Sequence, residues 1–221
     1  MPTGIIMTSS RVAKRSAVSV MQTMKLQATV LGSSIGAAWF ALSVNMITGG
    51  MLLPFGIVPR TTIGLRGILF APFLHANMAH LLANTTSFAV LGWLVMLRDK
   101  RHFGRVTLLA ALSSGLMSWL LGAPGSVHIG ASGVIFGYLG FLMASGWYAR
   151  TFASVLLSVG VTAAWGGLVF GVLPTTPGVS WQGHLGGFIG GVLAARAFRA
   201  LEGSPTRKGG DRSWAQSNRP L

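Results

Sequence analysis

No cysteine occurs among the 221 residues, which removes disulfide frameworks and thiolate chemistry from the possibilities. Acid is nearly as scarce. Asp99, Glu202 and Asp211 are the only carboxylate side chains, against seventeen Lys and Arg. Charge of both signs amounts to 9% of the chain, far below the roughly 25% of ordinary soluble domains. What remains is 51% hydrophobic, with 31 glycines. Such a composition describes a polytopic membrane protein, and its length suits one compact domain. The formal charge of +14 could point to nucleic acid. The basic residues, however, sit between apolar spans and not on a soluble module, which is the pattern of anionic-lipid contact and of the positive-inside rule. Membrane lipid is therefore an expected partner, and nucleic acid is not.

Residues 1–28 read as a basic cytoplasmic leader with Arg11, Lys14, Arg15 and Lys25, without the long apolar core of a cleaved signal. Residues 201–221, polar and rich in Gly and Pro, read as a disordered basic cytoplasmic tail. Between them, 29–200 forms one all-α domain. Apolar stretches near 29–53, 80–97, 106–121, 132–149, 152–173 and 182–198 are long enough to cross a hydrocarbon core of about 30 Å. Six crossings put both termini on one side. The basic residues then fall four in the leader, four in "RDKRHFGR", one at Arg150 and six from Arg196 onward, so fifteen of seventeen share that side. Only Arg60 and Arg66 lie outside, in a long outer loop spanning 54–79. The expectation is a multi-pass protein of a bacterial inner membrane with cytoplasmic termini.

Spans two, four and six all run inward from the outer face, and each begins with polar side chains. They are His80 and Asn84 in "AHLLANTTSF", Ser132 in "GASG", and His184 in "WQGHLGG". Singly, each has a bland structural role as a helix-end or packing residue. Together they place four reactive or hydrogen-bonding groups at one depth. A serine hydroxyl is a weak nucleophile until a base accepts its proton, and imidazole is the usual base. No acid can complete a triad, since all three lie on the cytoplasmic side. A hydrolase built from this set must use a Ser–His dyad, with Asn84, His80 and the Ser132 backbone N–H available to a developing oxyanion. His80 and Asn84 are four apart and share a helical face. Gly133, Gly137 and Gly140 on span four, and Gly183, Gly187, Gly190 and Gly191 on span six, are small-residue surfaces that permit close helix approach.

"FLHANMAHLLANTTSF", "GASGVIFGYLG" and "GHLGGFIGG", in that chain order, resemble the signatures of the rhomboid intramembrane serine proteases. The resemblance spans roughly 29–200. It implies a six-helix bundle, Ser132 as nucleophile, His184 as general base, and His80 with Asn84 as side-chain contributors to the oxyanion hole. It also implies that Phe136 is the aromatic against which the catalytic imidazole packs, where the family often has Tyr. The substrates would be transmembrane proteins cut near the outer leaflet, with no cofactor and no metal. Many members carry a Trp-Arg pair in the first outer loop; Arg60 and Arg66 have no neighbouring Trp here. His75 is expected to stabilise that loop, His128 to serve as a loop residue, and His102 to belong to no site. Span five, with Gly160, Trp165, Gly166 and Gly167, is a candidate lateral gate, although its glycines equally suit packing. The rival readings are a non-catalytic rhomboid-like protein that binds membrane clients, a metal protein using the histidines, and a transporter. Absence of carboxylate or thiolate ligands and of HExxH argues against the metal, and absence of charge inside the spans against ion coupling.

Overall fold

A computed structural model describes the backbone of residues 9–98 and 100–203 and the side chains of 20–98 and 103–199. His102, the three acidic side chains and the tail beyond 203 lie outside the described residues. So do the side chains of Arg11, Lys14 and Arg15 in the leader. Seven α-helices follow one another among the described residues: α1 (Ser9–Thr48), α2 (Gly67–Phe70), α3 (Met78–Arg98), α4 (Lys100–Leu121), α5 (Ser132–Ala149), α6 (Phe152–Trp165) and α7 (Trp181–Gly203).

The helix α1 begins well before the expected boundary at 28. No proline interrupts Ser9–Thr48, so the basic leader and the first span share one continuous helix. It stops at Thr48, short of the expected end at 53, because Gly49 and Gly50 follow with φ of 65° and 96°. The outer loop after it contains several short helical turns. Short 3₁₀ turns at Leu53–Phe55, Ile63–Arg66 and Ala71–Phe73 flank α2. A pair of backbone hydrogen bonds, each 2.9 Å, joins Ile57 to His128 and so ties this loop to the one preceding α5. The tryptophan missing from the loop itself arrives from α4. Trp119 donates its indole N–H to the Thr61 carbonyl at 2.8 Å, while the Arg60 guanidinium donates to the Leu120 carbonyl at 2.9 Å. Arg66 lies 4.3 Å over the Phe55 ring and donates to the Pro54 carbonyl.

The helices α5 and α7 form the centre. They pack on each other, with α4 against α7 and with α3 and α6 against α5; α1 reaches the bundle mainly through α3. From Gly133 to Leu142, α5 is buried without interruption. A helix apolar on all sides needs such enclosure. Tyr138 sits at its middle between Phe88 and Phe103, and its hydroxyl meets Thr107 Oγ at 2.8 Å. Four helical stretches, Val20–Thr48, Met78–Arg98, Phe103–Leu121 and Phe152–Val172, are long and apolar enough to cross a membrane. The protein is thus a multi-pass membrane protein. The remaining two expected spans, α5 and α7, are diluted by glycine, serine and histidine on surfaces that face other helices rather than lipid.

Candidate active site

The chain reaches Ser132 through a turn that only glycine accommodates. Gly130 has φ of 118°, and a Cβ there would run into the His80 ring at 2.9 Å. Its N–H donates to the Ala71 carbonyl at 2.8 Å, fixing the start of α5 against the outer loop. Ser132 then opens α5, and His184 lies in the first turn of α7. What brings them together is the glycine surface. A Cβ on Gly187 would overlap the Gly133 carbonyl oxygen, and one on Gly191 the Gly137 carbonyl oxygen, so the two backbones touch. Gly133 and Gly137 also admit Ser114 and Ala110 of α4 on their other side.

At the end of this crossing, His184 Nε2 stands 2.9 Å from Ser132 Oγ. The other ring nitrogen, Nδ1, is 2.9 Å from the Gly171 carbonyl oxygen. A carbonyl can only accept, so Nδ1 holds the proton and Nε2 presents its lone pair to the serine O–H. Phe136, one turn along α5 from Ser132, stacks on the imidazole with ring centres 4.1 Å apart and planes within 9°. The imidazole is therefore held by a hydrogen bond on its edge and an aromatic face on its side. The Gly171 carbonyl was not legible in advance, since a backbone acceptor in the 3₁₀ segment Gly166–Val172 carries no residue-type signal.

The second half of the site comes from α3. Asn84, buried on the inner face, donates from Nδ2 to His75 Nε2 at 3.0 Å. That leaves its second N–H for another acceptor. His75 is 1% exposed and donates from Nδ1 toward the Phe73 carbonyl. Burial, with His80 adding to it, brings the pKa of His75 down to about 4, against the opposing pull of the Phe73 carbonyl. The ring stays neutral at pH 7 and keeps an acceptor for Asn84. His75 thus does more than brace the loop, because it orients a predicted oxyanion donor. His80 lies edge-on to His75 at 5.0 Å and, like Asn84, approaches Gly130. The Ser132 N–H belongs to the first turn of α5, where amides lack intrahelical acceptors.

An open cavity of about 800 Å³ lies before this set, bordered by His80, Asn84, Ser132, His184, Ser126 and Trp181. His128 stands at its rim rather than at the dyad, with Nδ1 2.7 Å from Ser180 Oγ and Nε2 3.0 Å from Ser126 Oγ. It bridges the loop before α5 to the loop before α7. Among the described residues no group of three ligating side chains could hold a metal ion. A side chain added at Gly160 on α6, or at Gly167 in the 3₁₀ segment after it, would meet open space, so these glycines do not pack against a neighbour.

A family model described as the Rhomboid domain matches residues 63–200, which takes in α2 to α6, most of α7 and every residue of this site. The chain belongs to the rhomboid family. An uncharacterized protein of Mycobacterium tuberculosis is 38% identical over 208 residues, covering 85% of this chain and 87% of its own. RHOMBOID-like protein 1 of Arabidopsis thaliana is 34% identical over 134 residues, 57% of this chain and 32% of the plant protein. A putative rhomboid protein of Acanthamoeba polyphaga mimivirus is 33% identical over 143 residues, 62% of this chain and 77% of the viral one. The rhomboid match begins within the outer loop, so α1 lies beyond it while the dyad lies well inside.

Proposed function

We propose that this rhomboid-family protein is an intramembrane serine endopeptidase that cleaves membrane-spanning substrate helices near the outer leaflet. The observation that carries the reading is the chain of contacts from the Gly171 carbonyl through His184 to Ser132 Oγ, which opens onto a cavity of about 800 Å³. In this mechanism Ser132 Oγ attacks the scissile carbonyl carbon as its proton passes to His184 Nε2. The resulting oxyanion is met by the free N–H of Asn84, the His80 ring and the Ser132 backbone N–H. Collapse breaks the C–N bond, and His184 returns the proton to the leaving amine. A water then attacks the acyl ester, its proton going to Nε2, and the C–Oγ bond breaks as Ser132 recovers its hydrogen. The substrate helix must unwind at its outer end first, since helical hydrogen bonds shield each peptide bond; Gly, Ala or Ser near the cut favours this.

The same reading places six crossings in a bacterial inner membrane with both termini in the cytoplasm, as the distribution of Lys and Arg supports. The helix α6, the least enclosed in the bundle, is the proposed gate through which the substrate enters. The test is cleavage of a model transmembrane substrate by purified protein. The wild type cuts it and Ser132→Ala, correctly folded, does not. An uncut substrate with the wild type would instead favour a rhomboid-like protein that only binds its clients.

A further inference from the structure

His128 lies at the rim of the dyad's cavity, in the loop that leads into Ser132, and its partners decide where the ring proton sits. Ser126 spends its O–H on the Ala123 carbonyl at 2.6 Å. The Ser126 oxygen can then only accept from His128 Nε2, 3.0 Å away, so Nε2 carries the proton. Nδ1 keeps its lone pair and accepts the Ser180 O–H at 2.7 Å. Ser180 Oγ in turn accepts from Ser118 Oγ, 3.3 Å away and buried on α4. Burial holds the His128 pKa below its ordinary value, so the ring is neutral and this order of donors stands at pH 7.

Ser180 directly precedes α7, and its carbonyl accepts the N–H of His184 at 3.0 Å. Residues 173–179 before it are exposed and give the helix start little to rest on. The hold comes from the sides. Gln182 donates to the Leu121 carbonyl at 3.2 Å, and Ser180 donates to His128. Gly183 leaves the room for this, since a Cβ there would stand 2.7 Å from Ser118 Oγ and 3.0 Å from Ser180 Oγ. His128 is itself fixed: its N–H and C=O are both paired with Ile57, and a Cβ at Gly122 would run into its ring. The segment that leads into Ser132 is thereby bonded to the segment that leads into His184, beyond the glycine crossing of α5 and α7. We infer that His128 is a positioning residue of this site, which by accepting from Ser180 fixes the first turn of α7 and with it the approach of His184 Nε2 to Ser132 Oγ. This role rests on the protease reading proposed above.

The test separates the two ring nitrogens. In His128→Asn the side-chain carbonyl takes the place of Nδ1 and still accepts from Ser180, whereas in His128→Gln the amide reaches the place of Nε2 and serves Ser126 instead. Both lose the ring. With purified full chain and a model transmembrane substrate, His128→Gln and Ser180→Ala should lower kcat about tenfold with KM nearly unchanged, given that a misplacement of about 1 Å can cost on the order of 100-fold. His128→Asn should restore most of that loss. Ser180→Ala removes a single hydroxyl and keeps the test open should a ring replacement fail to fold. Equal losses in the Asn and Gln variants, following their unfolding midpoints, would overturn the inference, and so would full activity in both His128→Gln and Ser180→Ala. A second readout needs no turnover. Nitrogen NMR of protein carrying isotope-labelled histidine shows whether His184 Nε2 accepts a hydrogen bond, with Ser132→Ala supplying the signal of the unbonded nitrogen. The resonance should move toward that signal in His128→Gln and Ser180→Ala and keep its wild-type position in His128→Asn. A resonance that stays put in all three variants would overturn the inference whether or not the wild type cuts its substrate. A wild type that cuts nothing while the resonance moves as expected would overturn the protease reading alone.

Discussion

His184 points its lone pair at Ser132 because its other nitrogen has a fixed acceptor, the Gly171 carbonyl, in the place that a carboxylate occupies in a triad. A neutral carbonyl orients the ring without stabilising the imidazolium as strongly as a charge would, and the Phe136 face limits its rotation. Asn84 is held by His75 in a similar way, one N–H spent on orientation and one left for the oxyanion of the proposed mechanism. Asn84→Ala is therefore expected to lower kcat on the order of 100-fold while KM changes little, measured with a peptide or transmembrane substrate. An effect on KM alone would assign Asn84 to substrate binding. At this scale the cluster of Ser132, His184, His80 and Asn84 around one cavity was legible because Ser, His and Asn are costly at membrane depth and stand out there. Their supports were not. The Gly171 carbonyl is backbone, and the His75–Asn84 pairing depends on a loop folding back against α3 across nine positions.

Between elements, the decisive contact is the α5–α7 crossing. Gly187 has the Gly133 carbonyl where its own Cβ would be, whereas Gly160 on α6 has open space there. Gly187→Val should destabilise the protein by on the order of 3 kcal/mol and sharply reduce activity, although every reactive group remains. Gly160→Val should be tolerated; thermal unfolding and substrate cleavage of the two variants side by side check the contrast. The spacing of glycines announced that spans four and six could approach closely, and the structure brings Gly133, Gly137, Gly187 and Gly191 together. Composition alone could not tell those glycines from Gly160 and Gly167, because packing depends on which face a neighbour covers. It also could not place the start of α1, since a basic amphiphilic stretch without proline continues a helix as readily as it ends one. Trp119 shows the same limit: a loop partner supplied by a distant helix has no local signature.

For the whole molecule, one end carries the Ser132–His184 pair and its open cavity, and the other a smaller cavity lined in part by Arg98 and Arg199. The scarcity of acid accords with the proposed dyad: the three carboxylates, Asp99, Glu202 and Asp211, are all expected on the cytoplasmic side. Replacing Asp99, Glu202 and Asp211 together by their amides should leave the cleavage rate nearly unchanged in correctly inserted protein. Neutralising the acid of a true triad costs about 10,000-fold, so a fall of that size would place one of these acids at the site and contradict the topology. The most direct measurement of the central claim is labelling of the purified protein with a fluorophosphonate, which reacts with serines activated by a neighbouring base. The account predicts a single adduct, located on Ser132 by peptide mass spectrometry and lost in His184→Ala. No adduct on the folded wild type, an adduct on another serine, or labelling of Ser132 that persists without His184 would contradict it.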